Sequence, residues 1–192
     1  MTSRQFFLQK NCRGQVWVET VIYTLIAFAL IATSLAYVRP KIEEMQDKAI
    51  IEQTLAMMED IDSIIASAVQ GGAGNTRIIE LSIKKGSLKI DGSENKIIFE
   101  IESRHIYTEP CTAEPCTEIN IGNIVAVTKK QGKFNLITLT RSYTDYDIQY
   151  KGESGGQKTI TKSSIPYKLS IENKGDSDTD TDNKVEINFY FI

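Results

Sequence analysis

From Val16 to Val38 the chain is apolar, without a Pro or Gly, and Glu19 is its only formally charged side chain. At ~1.5 Å rise per residue such a run spans the ~30 Å hydrocarbon core of a bilayer as one helix. Beyond Val38 the helical period continues but becomes one-sided. Ile51, Leu55, Met58, Ile65 and Val69 form a stripe, and Glu43, Glu44, Asp47, Glu59 and Asp60 fall mostly elsewhere. A weaker spacing runs through Ile42, Met45, Ala49, Glu52 and Ala56. Pro40 is the one expected disturbance, because proline lacks a backbone donor and clashes with the preceding turn. Gly71-Gly72-Ala73-Gly74 marks the stop. A helix over residues 15–70 would be roughly 80 Å long.

After residue 76 the period falls from 3.6 to 2. Ile79, Leu81 and Ile83 alternate with polar residues, as do Ile97, Phe99 and Ile101, then Tyr167, Leu169 and Ile171. Val185, Ile187, Phe189 and Phe191 close the chain in the same way, which predicts a final strand pinned into a sheet. Ile124–Val127 and Phe134–Leu139 read as two central strands. Turn signals separate these runs at Lys85-Gly86, Asp91-Gly92, Gln131-Gly132, Gly155-Gly156 and Gly175-Asp176. The expected fold class is α+β: one long N-terminal helix, then an all-β, sandwich-like domain. The divisions are a basic leader at 1–14, a helix at 15–70 with its membrane part at about 16–38, a Gly-rich linker at 71–76 and the β domain at 77–192. No heptad, solenoid or propeller period is present.

Charge changes the picture only at the N-terminus. The formal net charge is −3 with a pI near 5.3, which gives no footprint for a nucleic-acid groove. Residues 1–14, however, hold Arg4, Lys10 and Arg13 and no acid, so losing them lowers the formal charge from −3 to −6. A secretory signal places its cleavage site after the apolar core. Here the basic stretch ends in Arg13-Gly14, before the apolar run, so a cut between Gly14 and Gln15 would keep the hydrophobic helix in the mature chain. That cut would create an α-amine one helical turn from Glu19, or offer a neighbouring subunit's amine to it. An intramembrane carboxylate costs several kcal/mol unless partnered.

Arg13, Gly14, Gln15, Glu19 and the uninterrupted run after them resemble a type IV pilin precursor. Gln15 as the new N-terminus, with Glu19 fifth from it, is similar to the archaeal class III signal peptide pattern Q-x-S-x-E-x-x-x-L. Trp17 and Tyr23 depart from that pattern, standing at its Ser and Leu positions. The resemblance covers residues 10–70 and implies a prepilin-type peptidase, an assembly ATPase, a membrane platform protein and a homo-oligomeric helical filament as partners. It implies a cell-membrane precursor that ends as an extracellular surface filament. An archaellum subunit and a minor pilin or pseudopilin share these features. The alternative of another class is an uncleaved signal-anchor helix, with Glu19 snorkelling toward headgroups and a β domain that binds a ligand. Arg39, Lys41 and Lys48 after the helix balance the three cations before it, so the positive-inside rule leaves orientation open.

Other candidate chemistry is sparse. Cys12 falls in the leader, whereas Cys111 and Cys116 sit in a duplicated E-P-C-T unit and suit a short disulfide in an oxidising exterior. A zinc site with His105 is the rival reading, but two cysteines and one histidine leave the tetrahedron short of a ligand. The run from Asp176 to Asp182 alternates carboxylates with Ser and Thr. As an EF-hand it fails, having Thr181 and Ile187 where Gly and a carboxylate are required, and a solvated hairpin tip is the plainer reading. No G-x-S-x-G, P-loop or H-E-x-x-H motif occurs, and one histidine gives little scope for acid–base work. No enzyme activity and no cofactor are expected.

Overall fold

The computed structural model describes residues 13–113, 115–176 and 184–192, with side chains from Trp17 onward. Most of the leader, including Cys12, therefore lies outside the described residues, as do Glu114 and the acidic run from 177 to 183. The fold class is α+β. Helix α1 is Arg13–Gln70, and eleven strands follow: β1 Thr76–Leu81, β2 Ser87–Asp91, β3 Lys96–Ser103, β4 Glu118–Ile121, β5 Ile124–Gln131, β6 Phe134–Ser142, β7 Tyr146–Tyr150, β8 Glu153–Ser154, β9 Gln157–Thr161, β10 Tyr167–Asp176 and β11 Val185–Phe191. The chain divides into two compact units, residues 1–42 and 43–192.

Pro40 lies inside α1 and does not end it. Only one intrahelical bond is lost there, and the turns on either side keep theirs. At the other end Gly72 takes a positive φ of 83°, a conformation that costs a residue without Cβ little. The helix is also tied off by Asn173. Its buried side chain donates from Nδ2 to the Ala68 carbonyl at 3.2 Å, one of the acceptors that a helix end leaves unpaired.

Two sheets carry the second unit. One has strand order β1-β10-β11-β7-β8 and the other β4-β5-β6-β3-β2-β9. Pairing is antiparallel throughout except between β11 and β7, which run parallel. The final strand is accordingly interior, with Ile187 and Phe189 fully buried, while Val185 and Phe191 sit half-buried at its ends. Leu88 and Ile90, Ile97, Phe99 and Ile101, and Ile137 and Leu139 face inward from one sheet, and Leu169, Ile171, Ile187 and Phe189 from the other. Ile51, Leu55, Met58, Ile61 and Ile65 of α1 join the same core. The stripe read from the sequence thus packs as expected, except that Val69 is half-buried and Ala68 takes the buried place. The weaker spacing from Ile42 to Ala56 is exposed.

One expectation needs correcting. Asp47 does not lie off the packed face: it is 4 % exposed, one turn before Ile51. Its carboxylate accepts from Lys85 Nζ at 2.5 Å and from the Arg104 backbone N–H at 2.8 Å, so both oxygens are satisfied. A buried charge is tolerated when it is paired and hydrogen-bonded in this way. Asp62 repeats the arrangement about four turns on. It accepts from Arg141 Nε and from the Tyr143 hydroxyl, each at 2.6 Å, with the guanidinium stacked 4.7 Å over the tyrosine ring. Burial, reinforced by that bond to Asp62, pushes the Tyr143 hydroxyl far above the usual phenol range, so it stays a donor.

Candidate membrane and assembly site

Every side chain from Trp17 to Arg39 is exposed. Trp17 is 72 % exposed and Phe28 70 % on one face of the helix, and Tyr37 74 % on the opposite face, so no stripe is spared for packing on its own chain. Leaving each large apolar side chain in water forfeits about 1.5–3 kcal/mol. Summed over this segment, that exceeds the 5–15 kcal/mol by which a domain is stable. The segment is long and apolar enough to cross a membrane, with a mean hydropathy of 2.1 over its most apolar window. Two surroundings meet the requirement: lipid, or further apolar helices.

Glu19 has a donor within its own helix. The Tyr23 hydroxyl lies 3.2 Å from Glu19 Oε1, one turn along. Thr24 and Thr33 behave alike, returning their hydroxyls to the Val21 and Ala29 carbonyls at 2.8 Å. The segment therefore folds its polar atoms back on itself, as a helix in hydrocarbon must. Sequence reasoning treated Tyr23 as a departure at an apolar position and missed this role. The i, i+4 spacing to the only carboxylate was the available signal. Arg13, Gly14 and Gln15 stand in the first turn of α1.

Cys111 and Cys116 are joined, with their Cα atoms 5.3 Å apart. The bridge belongs to a loop laid against β5. The Cys111 N–H donates to the Thr128 carbonyl at 3.1 Å, and its own carbonyl accepts from the Lys130 N–H at 2.8 Å. Thr108 adds a backbone donor to Thr128 Oγ1 at 3.0 Å. The loop so covers strand edge that β4 leaves open past residue 127, an edge otherwise able to pair with another chain. Bonded to each other, the cysteines offer no thiolate to zinc. His105 stands 4.0 Å from Glu44 and edge-on to Tyr107, with their ring centroids 6.5 Å apart. Asp176 ends β10, and the rest of the acidic run is outside the described residues.

A further carboxylate, Asp91 on β2, is 2 % exposed. It accepts from Lys89 at 2.6 Å, from the Ser93 hydroxyl at 2.6 Å and from Gln157 at 2.9 Å. Burial alone would raise its pKa. The bonds from Lys89 and Ser93 outweigh that and hold it at about 2. Its role is to close the β2–β3 turn against β9.

No family model, no characterised protein and no solved structure matches the chain.

Proposed function

We propose that this chain is the structural subunit of a type IV pilus-like surface filament. It is made as a membrane precursor, cut by a prepilin-type peptidase after Gly14, and assembled through its apolar helix. The observation that supports this best is the segment from Trp17 to Arg39, exposed on all sides, on a helix whose later turns enter a folded β domain. In the membrane the segment is covered by lipid. In a filament, helices of neighbouring subunits bundle and cover one another. Arg13-Gly14-Gln15 is the processing signal in this reading, and Glu19 is the carboxylate that takes up the α-amine released at Gln15. An assembly ATPase and a platform protein would supply the work of extraction, and adhesion or another surface role would fall to the exposed β domain.

One observation favours a second reading. Because Tyr23 already donates to Glu19, the carboxylate has a partner without any cleavage. That suits an uncleaved membrane anchor carrying a β domain. Intact mass of the membrane-expressed chain, with and without a co-expressed prepilin peptidase, separates the two. Loss of residues 1–14 that requires the peptidase and is abolished by a Gly14 substitution is the expected result. A chain that still begins at Met1 beside an active peptidase overturns the filament reading and leaves the anchor.

A further inference from the structure

A groove of about 390 Å³ lies within the second unit, between the first turns of its helix and three loops. Its lining holds four cations, Lys84, Lys85, Arg104 and Lys162, against two carboxylates, Glu43 and Asp47. Asp47 is committed to Lys85 and the Arg104 backbone, and Glu43 to the Arg104 guanidinium at 2.7 Å. Lys84 instead donates to a neutral group, Gln53 Oε1, at 3.0 Å. The lining therefore carries an excess of positive charge. Apolar side chains line it too: Ile50, and Phe134, which lies under the Arg104 guanidinium and is 40 % exposed. Basic groups interleaved with exposed apolar ones are what a protein presents to the headgroup and upper acyl region of an anionic bilayer.

Chain length bounds how far Glu43 can be from the apolar run. Glu43 is five residues from Val38, the last residue of the apolar run. Five residues reach at most ~18 Å even fully extended. If Trp17–Val38 spans a bilayer, Glu43 at the start of the groove lies within that reach of the membrane surface.

We propose that this groove binds the phosphate headgroup of an anionic lipid while the precursor waits in the membrane. The inference rests on the membrane-inserted precursor of the reading above and deepens it. Lys84 and Lys162 are the residues to which a phosphate oxygen has access without breaking the pairs at Asp47 and Glu43. The contact would steady the β domain over the bilayer and would be given up when the subunit is drawn into a filament.

The test is amide hydrogen exchange on the full chain in nanodiscs, made with neutral lipid alone or with a third of it replaced by phosphatidylglycerol. Exchange in residues 82–86 and 160–166 should slow at least threefold in the anionic discs, and the K84A/K162A double variant should lose that slowing. Both substitutions spare the buried aspartates, and an unchanged melting temperature of the variant checks this. Equal exchange in both discs overturns the proposal. Slowing reproduced in neutral discs by inorganic phosphate overturns the lipid assignment in favour of a soluble anion. Slowing seen only in assembled filaments does so in favour of a neighbouring subunit. Amides of Trp17–Val38 report insertion separately: if they exchange freely in both discs, the membrane reading fails and this proposal with it. If they are protected while the loops are not, the groove alone is wrong.

Discussion

The two halves of α1 share one secondary structure and differ in who completes them. Between Asp47 and Ala68 the helix buries one face. Ile51, Met58, Ile61 and Ile65 are at most 1 % exposed, and the charges on that face are answered by Lys85, Arg104 and Arg141 of the same chain. Between Trp17 and Arg39 nothing is buried, and the one carboxylate has a single tyrosine donor shown for it. Helix propensity does not explain the contrast, since the exposed half is rich in β-branched and aromatic residues, the weaker helix formers, and is helical all the same. The packing partner explains it. Where the chain provides a sheet, amphipathic spacing suffices. Where it provides none, the surface is apolar all round and another molecule must supply the cover.

The largest effect that breaks this comparison should come from matched deletions in the two halves. Ile61→Ala empties a fully buried site, and removing that much side chain costs about 2–5 kcal/mol. The β domain of the full chain in detergent should then melt many degrees lower. Ile26→Ala removes the same atoms from a side chain that is 50 % exposed and touches no core, so the melting temperature should hold. What it should lower is filament yield or recovery in the membrane fraction. Equal destabilisation by the two substitutions would mean that the first half packs on its own chain after all.

A smaller effect sharpens the electrostatic side. Asp91 has a folded pKa of about 2, below the ~3.9 of an unfolded aspartate. Its contribution is thus present above pH 4 and lost as the pH falls from about 4 through 2. Lys89 is partly exposed, so solvent screening leaves this on the order of 1 kcal/mol. The wild-type melting temperature should drop a few degrees further between pH 5 and pH 2 than that of Asp91→Asn. Parallel curves would show that the bonds from Lys89, Ser93 and Gln157 do not stabilise the fold.

How much of this was legible depended on whether the cause was local. The long helix, its glycine stop and the strands around Ile97–Ile101, Phe134–Leu139 and Val185–Phe191 follow from spacing alone. β2 and β9 escaped notice because each offers too few apolar residues to set a period: Leu88 and Ile90 in one, Ile160 in the other. The parallel pairing of β11 with β7 joins segments some 40 residues apart, and no pattern along the chain encodes it. Asp47 was misplaced for a different reason. Periodicity counts apolar residues, so a charge on the buried face reads as an interruption, although Lys85 and Arg104 turn it into an anchor. At the candidate site the leader, Glu19 and the cysteine pair stood out by type and position, while Tyr23 did not, since its hydroxyl matters only once the helix brings it over Glu19.

That contact gives the smallest and most discriminating prediction. Hydrogen bonds between side chains of neighbouring membrane helices contribute about 0.6 kcal/mol, up to ~1.7, and a bond within one helix is taken on the same scale. In the unprocessed precursor a double-mutant cycle of Glu19→Gln with Tyr23→Phe should therefore show a coupling of about that size in membrane-insertion free energy. In processed subunits the filament reading replaces the tyrosine with an α-amine. Tyr23→Phe should then leave filament yield within about twofold, while Glu19→Gln lowers it sharply, and the coupling should vanish. Persistence of the coupling after processing would mean that Glu19 never changes partner. The carboxylate would then be a feature of one helix in lipid rather than of contacts between subunits, and the two halves of α1 would differ only in solvent.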